Sequence, residues 1–166
     1  MKRLISIPLA LLLALSMTGI AAGLTVYRAP LSGGEEVPVR DTLARGVATF
    51  RLSADGTELA YRLTVANIDN VVAAHIHLGV SGVNGPVVAF LFGPVAAGGG
   101  DSDGVIATGT ITAADLIGTL TGAPLSVLVD LIESGEAYVN VHTNDGVDPT
   151  NTGPGDFPGG EIRGQL

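Results

Sequence analysis

Apolar and polar residues alternate with a period of two along most of this chain, the pattern of strands whose two faces meet different surroundings. Gly46–Leu52 sets Val47, Thr49 and Arg51 against Ala48, Phe50 and Leu52. Leu59–Val65 sets Leu59, Tyr61, Leu63 and Val65 against Ala60, Arg62 and Thr64. Between them Ser53-Ala54-Asp55-Gly56 carries an Asp-Gly turn signal, so the two segments read as a hairpin. Further strands are expected over Leu24–Leu31, Val71–Leu78, Val105–Ile111, Glu136–Thr143 and Glu161–Leu166, and the apolar run Val87–Phe92 reads as a buried strand.

The connections are Gly-rich over Gly79–Pro86 and Gly93–Gly104. Asn144–Gly160 is polar and long for a compact domain, which marks it as a functional or disordered segment. Two short helices are expected in between. Thr112-Ala113-Ala114-Asp115 has the form of a capping box, with Asp in place of Glu, opening one turn that ends near Gly118. Pro124 suits a first helical position and Gly135 a stop. Between them Leu125, Leu128, Val129 and Ile132 make one apolar stripe that lies against the sheet or caps its end. Seven or eight short strands with one or two short helices predict an all-β fold, an antiparallel Greek-key β-sandwich or flattened barrel.

Residues 1–23 break the pattern. Lys2 and Arg3 precede a nearly unbroken apolar run, Leu4 to Ile20, followed by small residues suited to cleavage near Ala21–Gly23. This reads as a signal peptide, leaving a single domain over 24–166 that is periplasmic or secreted. No later apolar stretch is long enough to span a membrane. The remaining chain has six arginines and no lysine against sixteen carboxylates, a net charge of −10. That excludes nucleic acid as an expected partner, because phosphate binding needs clustered positive charge. Without cysteine, thiol catalysis, zinc–thiolate sites and iron–sulfur clusters are excluded, and an exported chain folds without disulfides.

The three histidines fall in two of the strand segments. His75 and His77, two residues apart, project from one strand face, and Tyr138, Asn140 and His142 share a face of another. Imidazoles at i and i+2 are spaced to grip one ion, with a third arriving from a second strand. Copper or zinc suits such a donor set. Asn140 and Thr143 are then placed to orient imidazole N–H groups. As neutral donors the histidines would lose affinity as pH falls through about 6.5. The alternative is a polar seam in which they hydrogen-bond the backbone, Tyr138 or Asn140. Arg163 shares a face with Glu161 and is expected to pair with it, or to hold an anion near the histidines.

Other polar groups read more simply. Glu35 and Glu36 are expected to be solvated turn carboxylates. Asp101 and Asp103, and the group Asn144, Asp145, Asp148, Asn151 and Asp156, are weighed as calcium ligands but read better as turn formers. No Gly-x-Ser-x-Gly elbow supports a serine nucleophile.

Several pieces together resemble one family. They are Leu31-Ser32-Gly33-Gly34-Glu35-Glu36-Val37-Pro38, Gly46-Val47-Ala48, Ala74-His75-Ile76-His77-Leu78-Gly79, Asn84-Gly85-Pro86-Val87-Val88, Gly135 through Thr143, and Gly160-Glu161-Ile162-Arg163-Gly164-Gln165. This combination is similar to the chordin-type (CHRD) domain over roughly 27–166. The resemblance implies an extracellular module, found repeated in a growth-factor antagonist and singly in small exported bacterial proteins. A looser likeness is to copper–zinc superoxide dismutase, in which a His-x-His strand and a later Val-His strand ligate copper. That likeness implies copper ligands at His75, His77 and His142, without the further histidines of the zinc half. The readings that follow are a non-catalytic binding module whose partner is a metal ion or an extracellular protein, an adhesion or matrix protein with structural histidines, and a minimal copper redox enzyme.

Overall fold

The computed structural model describes residues 25–166, so the expected signal segment lies outside the described residues. Eight strands form: β1 (Val26–Ser32), β2 (Arg45–Leu52), β3 (Leu59–Asp69), β4 (Val71–Leu78), β5 (Val87–Phe92), β6 (Asp101–Ile111), β7 (Ala137–Thr143) and β8 (Ile162–Gln165). They make one antiparallel sheet in the order β5-β4-β7-β8-β1-β2-β3-β6. Its two ends approach each other, and the Tyr61 hydroxyl of β3 donates to the Leu91 carbonyl of β5 at 2.9 Å. The sheet is thus a nearly closed barrel. β3 pairs with β6 around the β4–β5 hairpin, a Greek-key return.

The alternation decides what faces inward. Phe50, Leu59, Leu63, Ile76, Val139, Val141 and Ile162 are fully buried in the barrel, each worth about 1.5–3 kcal/mol relative to exposure. The helix α1 (Leu125–Glu133) adds Leu125, Leu128, Val129 and Ile132 to the same core. Pro124 takes the N-cap rather than the first helical position. Gly135 ends the helix at φ +74°, with Gly135 N–H on the Ile132 carbonyl and Glu136 N–H on that of Leu131, the two bonds of a Schellman stop. Thr112 and Asp115 do form a reciprocal capping box, around a single 3-10 turn at Ala113–Asp115. A second such turn, Gly118–Leu120, follows it.

Two strands run further than the alternation predicts. β3 continues from Val65 to Asp69 through an irregularity between Val65 and Ile68, with Asn67 at φ +54°. An extra residue there shifts the side-chain phase, so the period of two is broken although pairing resumes. β6 begins at Asp101, inside the expected Gly-rich loop, where Ser102 and Asp101 pair with Ile68 and Asp69. Those polar residues sit on an edge strand open to water. The hairpin keeps its expected alignment, Leu52 opposite Leu59, over a loop of Ser53 to Glu58 stitched by Ser53 and Asp55 side chains.

The outer surface of the barrel has two unlike halves. On β4, β7 and β8 the outward residues lie beneath three loops, 33–44, 79–86 and 144–160. On β1, β2 and β3 they are bare. The 144–160 loop is ordered by burial rather than free: Gly155, Asp156 and Phe157 are buried, and Phe157 bonds back to Thr143.

Candidate metal centre

The alternation of β4 and β7 sends His75, His77, Tyr138, Asn140 and His142 to the covered outer half, while Ile76, Val139 and Val141 fill the barrel. Register does the rest. Asn140 lies opposite His75, Tyr138 opposite His77, and His142 opposite Ala73. The three imidazoles meet, with ring centroids 4.8 Å (His75–His142), 5.5 Å (His75–His77) and 5.9 Å (His77–His142) apart. One donor nitrogen from each lies within 4.8 Å of the others.

Backbone contacts fix which nitrogens converge. His77 Nδ1–H donates to the Gly85 carbonyl at 2.9 Å, and His142 Nδ1–H to that of Pro158 at 2.8 Å. Both rings are therefore the Nδ1–H tautomer with a lone pair on Nε2. His142 Nε2 accepts from His75 Nδ1 at 3.0 Å. His77 Nε2 is buried and has no partner, which is unusual for a polar atom in an interior.

The rings are held neutral. Burial drives His75 down to about 4, with His142 and His77 adding to the shift. Burial also lowers His77, opposed by the Gly85 carbonyl and the Asn140 side chain and aided by Arg163, and lowers His142, opposed by the Pro158 carbonyl and aided by His77. The expected loss of donor capacity near pH 6.5 is therefore moved to lower pH, because each charged form would be stranded away from water. Phe90 meets His75 edge-on at 4.6 Å, and Tyr138 stacks on His77 at 4.9 Å and 12°.

The flanking residues take roles the sequence did not assign. The Nδ1–H groups of His77 and His142 are oriented by main-chain carbonyls and that of His75 by His142; the Asn140 side chain lies beside His77, and Thr143 reaches none of the rings. Thr143 instead donates to Glu161 at 2.7 Å. Asn140 donates to Glu36 at 3.1 Å and leaves its own Oδ1 buried without a partner, as His77 Nε2 is. Tyr138 accepts from the Gly85 N–H at 3.1 Å, which tethers the residue whose carbonyl holds His77.

Glu161 and Arg163 form no ion pair with each other. Glu161, fully buried, accepts from Thr42 at 2.6 Å, from Thr143, and from the Gly155 N–H at 2.8 Å. Arg163, 1 % exposed, donates to Asn84 and to the carbonyls of Val80 and Val83, and its guanidinium packs 3.4 Å from the Tyr138 ring centroid. Each buried charge thus anchors loops over the histidines. Glu36, expected in solvent, is 4 % exposed, and burial pushes its carboxyl up to about 7 against the pull of Asn140, Arg163 and Arg40.

Asn144 and Asp145 accept local N–H groups and Asp156 accepts from Thr152, as turn formers, whereas Asp103 lies on β6 and accepts from the Asn67 N–H of β3. A family model described as the CHRD domain matches residues 27–166. No curated protein matches, and no solved structure does.

Proposed function

The chain belongs to the CHRD domain family, and from that footing we propose that it is an exported binding module that holds one copper or zinc ion on His75, His77 and His142. The observation that carries this reading is the convergence of His75, His77 and His142, one ring nitrogen of each within 4.8 Å of the others, together with the Nε2 of His77, buried and left without a hydrogen-bond partner. A lone pair left unsatisfied in an interior costs about 1–3 kcal/mol, and a cation removes that cost.

The donor set fits the ion. Metal–nitrogen bonds of about 2.0–2.1 Å place two donors on one ion no more than about 4.2 Å apart. The 3.0 Å between His75 Nδ1 and His142 Nε2 lies inside that limit, and the 4.8 Å outer spread needs a small closure. His75 would pass its Nδ1 proton to Nε2 on binding, while His77 and His142 already present the right tautomer. The ion would bring Lewis acidity to a half-open site beside Phe90. Three histidines in the chain leave none for the zinc half of a dismutase, so binding is favoured over dismutation.

Isothermal titration of the protein with Cu(II) and Zn(II) tests this against the His75→Ala/His77→Ala/His142→Ala variant. One-to-one binding that disappears in the variant is expected. Equal heats from both proteins would overturn the proposal and leave the histidines as a structural seam.

A further inference from the structure

The half of the barrel that carries no loops holds most of the positive charge. Of the six arginines among the described residues, Arg40 and Arg163 are tied into the loop-covered half. Arg28, Arg45, Arg51 and Arg62 are exposed and alternate with the buried Ala29, Ala48, Phe50 and Leu63, so all four point outward from β1, β2 and β3.

Register arranges them in rows. One row runs Arg28–Thr49–Arg62–Thr108, and the next Val26–Arg51–Ala60–Thr110. Beyond Arg28 come Pro30–Val47–Thr64–Val105 and then Ser32–Arg45–Ala66. No acidic residue occurs in these rows, in a chain whose carboxylates outnumber its basic residues two to one. Strand spacing puts Arg28 and Arg62 about 10 Å apart with Thr49 between them, and Arg51 about 7 Å along the strand from Thr49. Arg45 bonds the carbonyls of Thr42 and Ala44, which leaves Arg28, Arg51 and Arg62 as a triangle around Thr49. Asp55 and Glu58 border the face at the β2–β3 turn, where Asp55 is engaged by Ser53 and Thr57.

Guanidiniums without an acidic partner among the described residues complement an anion. The rest of the molecule, strongly negative, repels one. A bulky anionic partner would meet both fields, whereas a narrow chain can lie along the rows alone. The one aromatic residue beside the arginines, Tyr61, is tied by its hydroxyl to the Leu91 carbonyl, a poor platform for stacking successive bases, and Val26 and Val105 are the exposed large apolar residues of the face, poor anchors for a membrane. Threonine hydroxyls stand between the arginines, matched to a polymer that carries hydroxyls and carboxylates together. We infer that the outer face of β1, β2, β3 and β6 binds a linear acidic polysaccharide, its carboxylates on Arg28, Arg51 and Arg62 and its hydroxyls on Thr49, Thr108 and Thr110.

The probe is a polygalacturonate oligomer, titrated into the protein at low and at high salt, with neutral dextran, a single-stranded DNA oligomer and phosphatidylglycerol vesicles as comparisons. The expected result is binding of polygalacturonate that weakens as salt screens the charges, and none of dextran. Arg28→Ser/Arg51→Ser/Arg62→Ser should bind about tenfold more weakly or worse, since three exposed pairs are lost. These side chains are exposed, so the variant should keep the melting temperature of the parent. Asp55→Asn/Glu58→Gln, which removes bordering negative charge, should bind more tightly. Equal affinity in the triple variant, no wild-type binding at low salt, or binding of DNA or vesicles but not of polygalacturonate would each overturn the inference. None of these readouts depends on the histidines.

Discussion

His75 Nδ1 lies 3.0 Å from His142 Nε2, a hydrogen bond between two rings that both resist protonation. Because His142 gives its own Nδ1–H to Pro158, the shared proton belongs to His75. Nitrogen-15 NMR of the metal-free protein should report the Nδ1–H tautomer for all three rings. His75 should stay neutral until pH approaches about 4. Metal affinity should accordingly persist below the ordinary imidazole range and be lost as pH falls towards the value at which His75 protonates, about 4. A titration midpoint near 6.5 for His75 would contradict the burial argument.

Glu36 predicts a pH dependence of opposite sign. Its folded pKa of about 7 lies above the ordinary 4.5, so the folded state holds the proton more tightly. That contribution is complete below about pH 4.5 and is lost as pH rises through 7. Glu36→Gln, which keeps an oxygen for Asn140 and cannot ionise, should be more stable than the parent at pH 8 by about 3 kcal/mol, at about 1.4 kcal/mol per pKa unit. The lowered histidines act the other way, since the unfolded chain binds their protons first and stability falls as pH drops from about 6.5 towards 4. Urea denaturation across pH 4–8 should show a stability maximum in the parent that moves to higher pH in Glu36→Gln.

Glu161→Ala removes the acceptor of three donors, Thr42, Thr143 and Gly155. Each is left facing a void, and the loss should be about 3 kcal/mol or more in urea denaturation. Glu161→Gln should lose less, because one oxygen remains. Amide exchange should rise in the 144–160 loop in both variants, and the metal affinity of the Ala variant should fall with the displaced Pro158 carbonyl.

Arg163→Lys is a test of geometry rather than charge. A lysine keeps the cation but cannot span Asn84, Val80 and Val83 while lying flat on Tyr138. The variant should be destabilised by about 2–4 kcal/mol, and exchange should quicken at Gly85, whose carbonyl orients His77.

The strands were legible because a buried face enforces its own period, and the histidine cluster was legible for the same reason: i and i+2 on β4 must share a face, whatever the tertiary structure. Where a backbone irregularity shifts the phase, as at Asn67, the signal stops although the strand does not. The buried carboxylates were illegible in a different way. Glu36 and Glu161 sit among Gly, Pro and polar residues, the same neighbourhood as a solvated turn. What buries them is the later arrival of the 79–86 and 144–160 segments, and no local pattern carries that. The 144–160 loop, legible as a functional or disordered segment, divides in the fold: residues 146–152 face water, whereas Gly155 to Phe157 are buried and the Pro158 carbonyl holds His142, a split that no local pattern carries.

β8 is four residues long, yet Glu161 at its threshold and Arg163 within it restrain all three loops that roof the histidines. In order of synthesis, this strand follows every segment it fastens. The barrel wall can form its β2–β3 and β4–β5 hairpins from neighbouring sequence, but the roof has no fastening until β8 slots between β1 and β7. Assembly of the pocket is therefore a late event in maturation, and a chain caught before that step would lack the roof that shields its imidazoles.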